Sequence, residues 1–243
     1  MKPFLLLSIR GEEAAADNEY ESFLRFTGLL EAELPRVNLA QEELPEVDLD
    51  EWSGILLGGG PWNTSDAQET KSAAQVAAEK AILRLLDDVV SRDFPFLGAC
   101  YGIGTLGLHQ GALVDRSWPE PVGPLSVSLT SEGETDPLFA GVPGDFAAYG
   151  GHKEAMVTLP TGAVQLATSA ACPVQAFRVG SNVYATQFHP ELDLEGVCTR
   201  IDVYKNAGYF PPGEAETLKQ RSRSVEVLHP MTLLANFVSR YRR

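Results

Sequence analysis

Phe94-Pro95-Phe96-Leu97-Gly98-Ala99-Cys100-Tyr101-Gly102-Ile103-Gly104 decides how this chain of 243 residues is read. An apolar run ends in small residues, then a cysteine, then a glycine two positions on. The pattern predicts a buried strand that turns sharply into a helix, with the thiol at the corner. Neighbours of such a corner must be small, because side chains would collide in the turn. It also predicts a thiol held toward solvent at a helix N-terminus, where the positive end of the dipole favours the reactive thiolate. The competing reading is a buried and inert cysteine.

Before this stretch, Phe4 to Ile9 is short, continuous and apolar, which predicts a central strand buried on both faces. Glu12 to Asp17 reads as a polar loop, and Asn18 as the cap of a helix through Tyr20, Phe23, Leu24 and Leu30. Leu34 to Leu39 reads as a second strand, followed by an acidic, proline-broken connection to Glu51. Gly54 to Leu57 is a strand running into Gly58-Gly59-Gly60-Pro61. Three glycines let a backbone approach a ligand closely and aim its N–H groups. The turn lacks both GxxxxGK[ST] and GxGxxG, so an oxyanion hole and a plain tight turn are the competing readings. Ala67 to Ser91 predicts a long helix with Val76, Leu83, Leu86 and Val90 as its apolar stripe.

After the stretch, a helix runs through Leu106 to Gln110, and then the character changes. Val114 to Leu129 holds three prolines and alternating Leu125, Val127 and Leu129, while Ser131 to Asp145 is turn-rich. Ala155–Leu159, Gln165–Thr168, Val174–Val179 and Val183–Gln187 read as short strands, the last two joined by a hairpin at Gly180-Ser181-Asn182. Helices are expected over Glu195–Ala207, Glu214–Ser222 and Pro230–Tyr241. The β-α-β-β-α-β-α order predicts an α/β fold: a flavodoxin-like open, mostly parallel sheet with helices on both faces, plus a small β-rich layer. No linker separates the halves, so residues 1–243 are expected to form a single domain with a helical C-terminal extension at 192–243.

The net charge of −14 argues against a general affinity for nucleic acid or an anionic membrane, both polyanions. Cysteines at 100, 172 and 198 are odd in number and widely spaced, and no CxxC or Cys/His ligand set appears. This predicts neither a disulfide framework nor a structural zinc. The apolar start is cut off by Arg10 and no run reaches membrane-spanning length, so the expected location is cytoplasmic.

A thiolate nucleophile needs a base and a group that orients the base. Of the four histidines, His189 stands at a strand end, is followed by Pro190, and has Glu191 two residues on. In an extended chain, i and i+2 point to the same side. The carboxylate can then take one imidazole nitrogen and leave the other for the cysteine, as in a Cys-His-Glu triad.

With these residues in hand, the chain resembles the class I glutamine amidotransferase family. Gly58-Gly59-Gly60-Pro61 looks like the family's oxyanion loop, Gly98-Ala99-Cys100-Tyr101-Gly102 like its nucleophile elbow, and Ala185-Thr186-Gln187-Phe188-His189-Pro190-Glu191 like its histidine block. The likeness is closest to the amidotransferase domain of GMP synthase and its stand-alone relatives. The resemblance implies that Cys100 attacks the side-chain amide of glutamine, that His189 carries the proton and that Glu191 holds His189. It implies that N–H groups of Gly59 or Gly60 and of Tyr101 stabilise the oxyanion, with no metal and no organic cofactor. It places Gly58, Gly104, Gly151 and His152 at the substrate. Two positions depart from the family: Gly104 stands where glutamine is usual, and Gly151-His152 where a Ser-His pair is usual. Three functions follow: a glutaminase working alone or with a separate synthase partner, a γ-glutamyl hydrolase or peptidase on the same triad, and a non-catalytic binding or regulatory protein. The partner in the first two is a small-molecule substrate.

Overall fold

The computed structural model describes residues 2–243. The first strand, β1 (Phe4–Ser8), is buried along its whole length and lies between two parallel neighbours, β2 (Arg36–Asn38) and β3 (Gly54–Leu57). The chain enters β2 through helix α1 (Glu13–Thr27). After β3, helix α2 (Ala73–Ser91) returns the chain to β4 (Phe96–Ala99), which pairs parallel to β3. Helix α3 (Tyr101–His109) starts directly at the cysteine.

Helices cover both faces, and the strand residues divide between them by alternation. Leu5, Leu7, Ile55, Leu57 and Phe96 pack with Ile82 and Leu86 of α2 and Ile103 of α3. Phe4, Leu6, Leu56 and Leu97 pack on the other face with Phe23 of α1 and with Leu233, Leu234 and Phe237 of the last helix. Strands β1, β3 and β4 are therefore apolar at nearly every position, as a parallel strand buried on two faces must be, whereas edge strand β2 is Arg36-Val37-Asn38.

The middle of the chain contributes β5 (Val114–Asp115), β6 (Glu120–Leu129), helix α4 (Ser131–Thr135), β7 (Asp145–His152), β8 (Ala155–Met156), β9 (Val164–Thr168), β10 (Ala176–Val179) and β11 (Val183–Thr186). Strand β11 inserts beside β4, parallel to it, and β10, β9, β6 and β7 continue antiparallel from there. The sheet has nine strands in the order β2-β1-β3-β4-β11-β10-β9-β6-β7, and β5 with β8 forms a separate pair. The β-rich part is thus continuous with the parallel sheet. Helices α5 (Leu194–Tyr204), α6 (Ala215–Arg223) and α7 (Thr232–Tyr241) complete the chain, and Val197, Ile201 and Leu218 close a third apolar cluster over Tyr149 of β7. Among the described residues, no helix is long and apolar enough to cross a membrane.

Several elements differ from the sequence reading. Helix α1 begins at Glu13, so Glu12–Asp17 is not a loop and Asn18 is not a cap. Three consecutive alanines favour the helix, and Ala15 and Ala16 gain by burial. Helix α2 starts only at Ala73, where the Ser72 hydroxyl accepts from the Gln75 N–H, while Gln68–Thr70 is a separate single turn. Its buried stripe is Ala78, Ile82, Leu85, Leu86 and Val89, so Val76, Leu83 and Val90 only flank it. Strand β7 has no counterpart in the sequence reading, because Gly150 and Gly151 interrupt its alternation, and Ala155–Leu159 reduces to the two residues of β8.

Candidate functional site

The parallel strands β1, β3, β4 and β11 are neighbours, so their C-terminal ends lie along one edge of the sheet. That edge is where open α/β sheets bind ligands. Arg10 follows β1, Gly58 follows β3, Cys100 follows β4 and Gln187 follows β11.

Cys100 has φ 53°, in the left-handed region that L-residues with a Cβ avoid. Its N–H donates to Thr186 O across 2.7 Å, which ties the corner to β11. A Cβ on Gly98 would meet the Gly102 Cα at 2.8 Å, so the small residues flanking the corner are sterically required. The glycine turn presses equally close. A Cβ on Gly59 would lie 2.4 Å from His189 Cε1 and 3.1 Å from Cys100 Cβ. Gly58 abuts Glu19 and Gly60 abuts Ile9, at 2.7 and 2.5 Å for the same hypothetical Cβ. Gly59 is therefore packed against both Cys100 and His189.

His189 is held by its backbone, whose N–H donates to Tyr149 O at 3.0 Å, and by its ring, with Nδ1 2.7 Å from Glu191 Oε1. Arg200 Nη1 also stands 3.0 Å from Nδ1; in the tautomer whose Nδ1–H donates to the carboxylate, Nε2 is the basic nitrogen. Burial would raise the Glu191 carboxyl, but His189 and Arg200 beside it hold it well below the usual carboxylate range. Burial lowers His189 below 6.5 against the opposing pull of Glu191, so the imidazole rests neutral at pH 7. Burial also pushes the Cys100 thiol up, to about 12; Glu154 and Glu191 add to the effect and Arg10 and Arg200 oppose it. The thiol is half-buried and rests protonated, in contrast to the solvent-facing thiolate expected from the helix dipole. Desolvation is the largest cause of the shift.

Beneath the pair lies an ion network that sequence reasoning missed. Arg200 Nη2 donates to Glu191 Oε1 at 2.9 Å and stands 3.5 Å from Glu19 Oε1. Arg10 Nε donates to the same Glu19 oxygen at 2.8 Å, and Ser8 Oγ donates to its other oxygen at 2.9 Å. Tyr204 accepts from Arg10 and donates to Glu12. Two carboxylates and two guanidiniums thus share the interior. The signal was present in α1, where Glu19 sits midway between buried Ala15 and Phe23, on the face that should be apolar.

The remaining expected residues surround Cys100. Gly60, Tyr101, Gly104, Gly151 and His152 line one side of the cavity, with Glu154, Gln187 and Tyr209. The ring of His152 is engaged at both nitrogens, with Glu154 O at 2.8 Å and Glu120 Oε2 at 2.9 Å. The Gly104 position is crowded: a Cβ there would lie 2.9 Å from Glu154 Oε1 and 3.0 Å from Thr64 Oγ1. Glu154 accepts from the N–H groups of Thr64 and Ser65 and from the Thr64 hydroxyl. Tyr209 covers this side, its hydroxyl donating to Gly60 O at 3.4 Å and its ring lying 4.1 Å from Lys153 Nζ. Among the described residues, one group of three potential metal ligands occurs: Glu120, His152 and Cys172, with ligand atoms within 4.8 Å of one another. Gln175 and Ser169 also donate to Glu120, and the Cys172 thiol donates to Val174 O.

Residues 24–197 match the sequence profile of the family described as Glutamine amidotransferase class-I. Cys100, His189 and Glu191 fall inside that range, whereas Arg10, Glu19 and Arg200 fall outside it. The chain is 28% identical over 156 residues to a subunit of the glutamine-hydrolyzing GMP synthase of Thermoplasma acidophilum, covering 64% of this chain and 71% of that protein. It is 29% identical over 162 residues to the glutamine-hydrolyzing GMP synthase of Bacillus pumilus, covering 66% of this chain but only 28% of the longer protein. A crystal structure of a glutamine amidotransferase from Thermotoga maritima superposes with a TM-score of 0.73 over 99% of this chain and 98% of that one. At 23% identity, that likeness shows a shared fold.

Proposed function

This chain belongs to the class I glutamine amidotransferase family, and we propose that it hydrolyses the side-chain amide of glutamine through a cysteine thioester, with Cys100, His189 and Glu191 as the triad. The observation that carries the proposal is Gly59 packed against both the strained Cys100 corner and the Glu191-bound His189.

The chemistry follows from the resting protonation states. A neutral thiol and a neutral imidazole lining one cavity are a nucleophile and its general base once the two side chains close to hydrogen-bonding distance. As the sulfur attacks the amide carbon, its proton passes to His189 Nε2, and the resulting imidazolium is stabilised by Glu191. The oxyanion takes N–H groups of Gly59 or Gly60 and of Tyr101, each worth about 3 kcal/mol of barrier. His189 then gives the proton to the departing ammonia. Water, deprotonated by the same nitrogen, cleaves the thioester to glutamate. The cavity beside Gly104 and Glu154, which Tyr209 also lines, is the place this reading gives the acyl chain.

The Thermoplasma relative is named as one subunit of its synthase, which supports a second proposal: a separate synthase protein takes the ammonia from this chain. The test of the hydrolytic reading is release of glutamate and ammonia from glutamine by the purified chain, with Cys100→Ala as the blank. Turnover by wild type alone is expected. Equal turnover by the variant would remove Cys100 from the mechanism, and absence of turnover by both would favour a binding protein of this fold.

A further inference from the structure

A second cluster of reactive side chains lies where β6 begins, where β7 ends and in the turn between β9 and β10. Its members, Glu120, His152 and Cys172, are all buried, and their ligand atoms lie within 4.8 Å of one another. His152 Nδ1 faces Glu154 O at 2.8 Å, and a carbonyl only accepts, so Nδ1 carries the hydrogen. Nε2 is thereby turned toward Glu120 Oε2, at 2.9 Å. A ring nitrogen and a carboxylate so placed need a proton or a metal ion between them. An imidazole that gives its other N–H to a carbonyl has the orientation usual for a metal ligand. The carboxylate is steadied in turn, since Ser169 Oγ and Gln175 Nε2 donate to it at 3.2 and 2.5 Å. Gln175 is 0% exposed, and its Oε1 has no partner among the described residues. His152 also lines the catalytic cavity, which gives an ion a way in.

We propose that Glu120, His152 and Cys172 bind one zinc ion, through a carboxylate oxygen, Nε2 and a thiolate. Zinc takes this mixture of donors. Tetrahedral zinc, with bonds of about 2.0–2.3 Å, sets its ligand atoms about 3.3–3.7 Å apart. His152 and Glu120 therefore open by about half an ångström, and the sulfur closes by about 1 Å at most. The charges cancel: one dication meets one carboxylate, one thiolate and a neutral imidazole, so no buried charge is left uncompensated. Two protons leave for solvent as zinc binds, the thiol's and the one between Nε2 and the carboxylate. A water completes the fourth position, and Gln175 Oε1 is the acceptor for it. The ion staples β6, β7 and the β9–β10 turn together behind the cavity wall that carries Gly151 and Glu154. Positions 120, 152 and 172 have none of the close spacing by which zinc sites are recognised in a sequence, so the expectation of no structural zinc passes over them.

The test is the zinc content of the full chain after incubation with zinc chloride and removal of unbound metal by gel filtration. About one zinc ion per chain is expected in wild type and in Cys100→Ala, and less than about one-tenth in Cys172→Ala. Zinc chloride is expected to raise the thermal midpoint of wild type by about 5 °C or more and to leave that of Cys172→Ala in place. Cobalt(II) in place of zinc reports the ligands with Cys172 untouched. A sulfur-to-cobalt charge-transfer band is expected in wild type and in the Cys100→Ala, Cys198→Ala double variant, where Cys172 is the remaining thiol. Zinc below about one-tenth per chain in wild type, equal loads in wild type and Cys172→Ala, or no such band in the double variant overturns the proposal. The cluster is then a buried hydrogen-bonded pair beside an inert thiol.

Discussion

Arg200 Nη2 donates to Oε1 of Glu191 at 2.9 Å, and that oxygen is the one His189 Nδ1 reaches at 2.7 Å. The arginine therefore acts on the imidazole through their shared carboxylate oxygen and lowers His189 further by direct repulsion. Arg200 is a positioning residue in this reading. Arg200→Ala is expected to lower kcat by about tenfold, a fraction of what a general base contributes. It should also shift the acid limb of the rate profile to higher pH, because a cation that opposed protonation is gone. A purely structural role would lower the rate without moving the limb, and Arg200→Lys should restore most of the shift.

In the wild type, the same electrostatics fix the direction of the pH dependence. Activity needs neutral His189, and burial lowers its pKa below 6.5. The acid limb of kcat/KM is expected to have its midpoint below pH 6.5, with the rate rising as pH increases through it. Stability moves the same way. Below pH 6.5 the unfolded chain binds a proton that folded His189 resists, so stability is lost as pH falls through that window. The depressed Glu191 contributes stability that is present above 4.5 and lost as pH falls further. Urea titrations from about pH 2 to pH 8 would check both signs.

Glu19 is the counterion that keeps Arg10 and Arg200 together in the interior. Glu19→Gln keeps the shape but leaves one carboxylate, Glu191, beside two buried guanidiniums. Breaking a buried pair in this way costs about 3–5 kcal/mol. The variant is expected to lose that much in equilibrium urea unfolding. A loss under about 1 kcal/mol, the range of an exposed pair, would show the network to be solvated.

The parts of this protein legible in its sequence are those whose physics is local. Phe4–Ser8 and Phe96–Ala99 are apolar at nearly every position because both faces are covered. The Cys100 corner shows itself by the small residues it needs, and His189 with Glu191 by their closeness in sequence, although a turn closed by the Leu192 N–H on His189 O at 3.3 Å, and not the extended chain expected, brings the two together. Arg10 and Arg200 were not legible, because each looks like ordinary surface charge until strands and helices from distant segments bring them together, and Glu19 left only one trace, its place between Ala15 and Phe23 on the apolar face of α1. Arg10 reads as the end of an apolar run, when it in fact continues inward. Arg200 sits between Val197 and Tyr204 on the buried face of α5, a position that only the fold makes informative. The crowding at Gly104 depends on Glu154 and Thr64, 50 and 40 residues away in the chain.

That crowding decides what happens when the family's usual residue is put back. If Gly104 were simply an empty place, Gly104→Gln would restore contacts to glutamine and lower its KM. The space is instead filled by Glu154 Oε1 and Thr64 Oγ1, at 2.9 and 3.0 Å from the new Cβ. The glutamine must push Glu154 off its three donors, and overpacking of this kind costs about 1–3 kcal/mol. Gly104→Gln is therefore expected to lower the thermal midpoint and to raise KM for glutamine. Glu154→Ala, which opens the space, should recover part of that stability in the double variant relative to adding the two single losses. A Gly104→Gln protein with unchanged midpoint and lower KM would show that Glu154 yields freely and that the acyl pocket is not built around it.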